Sequence, residues 1–292
     1  MALTSRPTRQ PNCKIEMMLQ PAPNTTLRSL VITAGQDLVG GLHQWRLWGR
    51  LGWREVQRRY SRTVIGPFWS AISLAMFVLA LGAVGTGLWS KSASDYLPFL
   101  AAGMVVWVMV SSVVVESCTL FVAGTNLYRQ MQFNYSVMAY ALVWRNFIVF
   151  AHNFLVFFVL FLVFAAHLLS PAMLLVVPGM MILLLNCVWV SILLGMFCLR
   201  FRDVQQLVTS LIQICMFVTP IFWPPDNLKG FTHLVFVDLN PLFHLIDIVR
   251  SPLLGRAPAL ESYVAAVVIT ILGWAFTYVM FNYFRKRIAY WS

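Results

Sequence analysis

An all-α, multi-pass membrane protein is the fold class this sequence predicts, and three observations predict it. Sixty per cent of the 292 residues are hydrophobic and only 11% are charged, against about 45–50% and about 25% in a soluble domain. The mean hydropathy is +0.76. The charged residues are also missing from several long stretches, each of a length that can cross a bilayer. The same composition excludes a disordered chain. Five cysteines, an odd number with no Cys-x-x-Cys pair, exclude a disulfide scaffold.

Residues 1–30 read as a flexible N-terminal tail. Arg6, Arg9 and Lys14 are basic, but no apolar run of the secretory-signal kind follows them before residue 30. Residues 31–62 read as a cytoplasmic amphipathic interface helix region. There Trp45, Trp48, Gly52 and Val56 recur at helical spacing, with Leu51 and Tyr60 alongside. Arg46, Arg50, Arg54, Arg58 and Arg62 recur every four residues on a neighbouring face. Tryptophan on one face and arginine on the other predict a helix lying in the membrane interface. Its simplest role is a positively charged anchor for the first span. Arg54, Arg58, Arg59 and Arg62 are also candidates for meeting an anionic headgroup, because a guanidinium pairs well with phosphate.

Residues 63–292 read as a six-span transmembrane domain. Thr63 to Ser90 carries no charge and gives the first span. Tyr96 to Tyr128 carries only Glu116 and gives the second, which overruns into a loop. The 54 uncharged residues between Arg145 and Arg200 are too many for one helix. A tight turn at His167, Ser170 and Pro171 divides them into spans three and four. Val204 to Pro225 is the fifth span and Ser262 to Phe284 the sixth. Phe231 to Ile246 is shorter and is interrupted by Asp238 and Pro241, which predicts a re-entrant or interfacial helical segment on the periplasmic side.

Six spans place both termini on one side. With the termini inside, thirteen Lys and Arg flank the inner ends and four lie in outer loops. The positive-inside rule therefore predicts cytoplasmic termini. The net charge of +11 is then a basic face toward the cytoplasm.

Several kinds of chemistry have no footing. No GxxxxGK[ST] phosphate loop occurs, so any ATP-driven step needs an ATPase on another chain. No HExxH, GxSxG or DxD occurs. The histidines at 43, 152, 167, 233 and 244 show no ligand spacing, so no metal site is expected. Cys118, Cys187, Cys198 and Cys215 sit inside spans and read as small packing residues. Glu116 is the one acid well inside a span. Such a residue is a functional candidate, but a carboxylate near a helix end or facing a wet cavity accounts for it equally well. One acid is a poor basis for an ion-coupled transporter.

Four motifs then carry a resemblance. Arg54-Glu55-Val56-Gln57-Arg58-Arg59-Tyr60 followed by Gly66-Pro67-Phe68-Trp69 is the first, and Arg202-Asp203-Val204 the second. Thr219-Pro220-Ile221-Phe222-Trp223 is the third. Asn240-Pro241-Leu242-Phe243-His244, running through Asp247-Ile248-Val249-Arg250 to Pro252-Leu253-Leu254-Gly255, is the fourth. In this order, from about Trp45 to the C-terminus, the chain resembles the membrane-spanning (permease) subunit of type 2 ABC transporters for polysaccharide export. Leu142-Val143-Trp144-Arg145 and Asn186-Cys187-Val188-Trp189-Val190-Ser191 most resemble the branch that moves lipid-linked O-antigen and galactan.

The resemblance implies a homodimer with two copies of a separate cytoplasmic ABC ATPase, which would hold the ATP and magnesium. This chain itself would have no cofactor, no catalytic residue and no nucleic-acid partner. The implied substrate is an undecaprenyl-diphosphate-linked polysaccharide, O-antigen first, moved across the bacterial inner membrane into the periplasm. Capsular polysaccharide, teichoic acid and galactan are the alternatives within the family. The resemblance places the channel on spans one and five. Candidate channel aromatics are therefore Phe68, Trp69, Phe77, Phe217, Phe222 and Trp223, with Trp107 a lesser one; an interfacial belt would also use Trp near span ends. The loop from Gly124 to Ala141 resembles the family's coupling helix. Asn126, Tyr128, Arg129 and Gln130 are its candidate contacts with the ATPase, joined by Arg202 and Asp203. Two other classes stand beside this one. A glycosyltransferase or ligase acting on a polyprenyl carrier would need a catalytic acid such as Asp238 or Asp247, and an exporter of small molecules or lipids could share the scaffold.

Overall fold

The computed structural model of the protein describes residues 34–122, 134–225 and 228–291. Among these, all regular structure is helical. Two helices, α1 (Ala34–His43) and α2 (Trp45–Tyr60), precede the bundle. Then come α3 (Phe68–Trp89), α4 (Ala93–Ser117), α5 (Ser136–Phe164), α6 (Val176–Arg200) and α7 (Asp203–Val218). The chain closes with α8 (Phe231–Asp238), α9 (Pro241–Leu253) and α10 (Leu260–Trp291).

Five helices are long and apolar enough to cross a membrane: α3, α4, α5, α6 with its preceding turn, and α10. The pair α8–α9, bent by 70° at its break, could form one more crossing. This differs from the expected six in one place. The fifth expected span, Val204 to Pro225, stops as a helix at Val218. Sixteen residues rise about 24 Å, short of a hydrocarbon core of about 30 Å. The cause is local: Thr219 precedes Pro220, and a residue before proline is pushed out of the helical region. Thr219 accordingly has φ −83° and ψ 134°.

The other boundaries follow from capping chemistry. Ser92 caps α4 by accepting from Asp95 N–H. Asn240 caps α9 through Oδ1, which accepts from Leu242 N–H at 3.0 Å and Phe243 N–H at 3.3 Å, while Pro241 occupies the first helical position. The turn expected at His167, Ser170 and Pro171 is built from two 3₁₀ turns, Ala166–Leu168 and Pro171–Leu175.

The buried core runs along α4, which packs against α3, α5, α6, α7 and α9. Its run Leu100-Ala101-Ala102 is wholly buried. By contrast α3, α5 and α10 keep most of their apolar surface outward, as helices facing hydrocarbon or another subunit do. Helix α9 is pressed into the bundle, with Phe243 through Arg250 all buried. Gly179 of α6 allows this, since a Cβ there would lie 2.3 Å from Ile248 O. Helix α2 lies equally close on α5, where a Cβ on Gly52 would meet Ala141 O at 2.8 Å.

The apolar stripe of α2 is thus partly spent on protein. Gly52 and Val56 are buried, and Trp48 meets the rings of Tyr140 and Trp144 at 6.2 and 6.0 Å. Trp45 and Trp53 remain exposed, and the Arg46 guanidinium lies 5.5 Å from the centre of the Trp45 ring.

Candidate functional site

Three junctions bring the chemistry-bearing side chains together. The first ties α2 to the ends of α4 and α5. Glu116, near the last turn of α4, accepts from Arg59 of α2 and from Arg145 of α5, each at 2.6 Å, and from Asn146 Nδ2 at 2.7 Å. Arg145 reaches back to Glu55 on α2. Two carboxylates thus alternate with two guanidiniums. The bond to Glu116 raises the pKa of Arg59 above its ordinary value, against the desolvation that lowers it. Arg59 is therefore charged at every physiological pH.

Glu116 is thus a tie point between α2, α4 and α5. The headgroup candidates Arg54, Arg58, Arg59 and Arg62 are all exposed, and Arg58 makes a long 3.8 Å contact to Glu55. Arg59 is held by Glu116.

A second junction on the same side was invisible in the sequence. Asp37 of α1 is wholly buried. Its carboxylate accepts from the N–H groups of Ser136 and Tyr135 at 3.0 and 3.3 Å, which caps α5. It also pairs with Arg285 of α10, Nη2 at 2.8 Å and Nε at 2.9 Å. Arg285 was counted only as an inner-side charge; nothing in a sequence links positions this far apart.

The third junction is at the opposite end of the bundle, where the Thr-Pro and Asn-Pro motifs meet. Asn240 Nδ2 donates to Thr219 Oγ1 at 3.1 Å. Arg250 donates to Pro220 O at 2.7 Å and lies 3.7 Å from Asp247. Tyr96 donates its hydroxyl to Phe222 O. Chain without helical hydrogen bonds is tolerated at membrane depth only where protein groups satisfy it, and Arg250 and Tyr96 do so for the carbonyls of Pro220 and Phe222. Asp247 and Arg250, three positions apart on α9, form an ion pair across one helical turn. Asp247 also accepts from Ser251 at 2.7 Å and Ser262 at 3.0 Å, so both its oxygens are engaged. Asp238 pairs with His233 at 3.2 Å.

Between these ends α7 presents a mixed surface. Gln205, Gln206, Ser210 and Gln213 are exposed beside Leu207, Leu211, Ile214 and Phe217, and only Val208 of this helix is buried. Uncharged polar residues at helical spacing in an apolar run were the signal for this face, and the sequence reasoning passed over them. Phe68, Trp69, Phe77 and Phe217 are exposed, and Phe222 and Trp223 half-buried. Trp107 is the exception: at 4% exposure it belongs to the core of the protomer, packed inside the most enclosed helix, and lines no open surface there.

The order of these motifs matches a known family. Residues 46–254 fit the family model described as ABC-2 type transporter. The chain belongs to that family. No curated protein matches it.

As an ABC-2 membrane domain it is the transmembrane component of an ABC transporter and not itself the catalytic one. Among the described residues no group of three or more His, Cys, Asp or Glu is placed to hold a metal ion. The matched region covers the α2 junction, the mixed face of α7 and the α9 junction, but not α1 or α10. Arg202 and Asp203 are exposed at the short α6–α7 link. The remaining coupling candidates, Asn126, Tyr128, Arg129 and Gln130, lie outside the described residues.

Proposed function

We propose that this ABC-2 membrane domain forms, as a homodimer with two copies of a cytoplasmic ABC ATPase, an exporter of polysaccharide linked to undecaprenyl diphosphate, O-antigen foremost. The observation that carries the reading is the face of α7. A helix that buries one residue in its own subunit and shows glutamines and a serine among aliphatic and aromatic side chains is ill suited to hydrocarbon, where unsatisfied amides are costly. It suits a wet passage shared by two subunits, in which amides bond sugar hydroxyls and rings such as Phe217, Phe68 and Trp69 pack against sugar C–H faces.

The orientation proposed is termini inward, in the bacterial inner membrane. The exposed Arg54, Arg58 and Arg62 on α2 then lie at the cytoplasmic surface, where a lipid diphosphate arrives. The four-residue ion network joins α2 to the two helices that bracket residues 123–133. A push from the ATPase on that link would move α2, α4 and α5 together, while Arg202 and Asp203 would take a push at the α6–α7 turn.

The second class considered, a polyprenyl-carrier glycosyltransferase or ligase, is disfavoured by the family match, since the ABC-2 membrane component is not itself the catalytic one. Export is tested by reconstituting the chain with its ATPase in liposomes and supplying lipid-linked glycan on the ATPase side. The expected result is ATP-dependent appearance of glycan on the far side. Transport of small amphiphiles but not glycan would overturn the reading.

A further inference from the structure

At the end of the bundle opposite α2, a cleft of ≈ 400 Å³ opens between the start of α4 and α9. That volume falls within the range of small-ligand pockets, about 300–1,000 Å³. Its wall is aromatic: half-buried Phe99 stacks on Tyr96 at 6.4 Å, and Phe243 stands nearby. Between the two phenyl groups sits the Arg250 guanidinium, 4.6 Å from the centre of Phe99 and 5.6 Å from that of Phe243. The rim carries Lys91, Ser94, Asp95 and Arg256, all exposed.

The shape of the cleft is fixed by its surroundings. Gly255 turns with φ +74°, and a Cβ there would lie 2.1 Å from Leu168 O, so the α9–α10 link is seated on the turn between α5 and α6. Arg250 is anchored by Pro220 O and Asp247.

We propose that this cleft binds one saccharide unit, with its apolar C–H face on the exposed part of Phe99 and its hydroxyls on the rim. The chemistry distinguishes a sugar from the other small ligands that could enter. A site for a bare anion gathers cations and excludes carboxylates, whereas here Asp95 stands on the rim between Lys91 and Arg256. A site for an alkyl chain would lack the charged rim. A hexose hydroxyl both donates and accepts, and a rim of carboxylate, ammonium, guanidinium and hydroxyl answers both needs beside the Phe99 ring. The saccharide would be a unit of the exported glycan, so the source of the ligand rests on the export reading. On the proposed orientation the cleft lies at the exit, and it holds the emerging chain against back-slippage.

The test uses the full chain in lipid nanodiscs, which leave both ends of the bundle accessible. The probes are the methyl glycosides of galactose, mannose and glucose, followed by saturation-transfer NMR and titration. At least one should bind with a millimolar Kd that an excess of inorganic phosphate leaves unchanged. Asp95→Asn and Arg256→Gln, both on the exposed rim, should each weaken it about three- to tenfold, and Phe99→Ala about tenfold, the equivalent of about 1.4 kcal/mol. Ser61→Ala, at the other end, should bind as the parent does. Absence of binding by all three glycosides, displacement by phosphate, or binding that survives both rim substitutions would overturn the proposal. Because the assay needs no ATPase, its failure beside successful glycan export would remove the cleft alone; glycoside binding without export would keep the cleft and remove the export reading.

Discussion

Asp37 holds four donors with one carboxylate, in a place with no access to water. Two come from the start of α5 and two from Arg285, whose side chain is 7% exposed. Removing one partner of a buried pair strands the other, at about 3–5 kcal/mol, whereas replacing both can be nearly neutral. Asp37→Ala should therefore lower the unfolding midpoint of the purified chain sharply, and Asp37→Ala with Arg285→Met should recover much of the loss. A double variant no better than the single one would mean that the cap on α5, not the ion pair, is the larger contribution. Glu116 is less enclosed, with a side chain 20% exposed. Glu116→Gln keeps an acceptor for Asn146 but leaves Arg145 with Glu55 alone. The expected cost is about 1–3 kcal/mol in thermal stability, and a larger effect on ATPase stimulation by substrate in the reconstituted complex. None of these partnerships is legible in the chain. Glu116 and Arg145 are 29 positions apart and Arg145 and Glu55 are 90 apart. An isolated acid in a span announces that it needs a partner without naming which.

The elements were more legible than the contacts, because charge-free length and capping residues act locally. Uncharged stretches locate α3, α4, α5 and α6, and the Ser170-Pro171 turn divides the long one. The length of α7 was misjudged because hydropathy continues through Ile221-Phe222-Trp223 after the backbone has left the helix at Thr219. Proline rules, applied to Thr219-Pro220, contain that information. The Asn240 cap can be probed directly. Asn240→Ala removes the acceptor for two N–H groups and the donor to Thr219, and should cost about 1–2 kcal/mol. Asn240→Asp keeps the cap, loses the donor and should fall between the two in thermal unfolding. Gly52→Val should push α2 from α5 while leaving the membrane helices inserted. Spin labels placed on the two helices should then report a wider and broader distance distribution; an unchanged one would mean the contact is slack.

At the scale of the whole molecule, the chain offers no phosphate loop, and its bundle leaves α3, α5, α7 and α10 largely uncovered. Purified alone it should hydrolyse no ATP, checked by phosphate release with and without the cognate ATPase. Turnover by the isolated chain would contradict its place as the membrane component. Within the complex, Tyr128→Ala or Arg129→Ala should leave membrane insertion intact and reduce export several-fold while ATP hydrolysis persists. Undiminished export would remove those two residues from the proposed coupling.

The early end of α7 has a consequence for the lipid around the protein. A helix about 24 Å long beside neighbours that reach across the full bilayer creates a local hydrophobic mismatch, and the acyl chains nearest it must shorten or splay to match. Where the helix faces a second copy, as in the proposed dimer, the chain continuing through buried Thr219, Pro220 and Ile221 fills the remaining depth with protein instead. Bilayers of short acyl chains would relieve the mismatch and leave the protein contact alone. Turnover measured against acyl length would then tell which neighbour α7 meets.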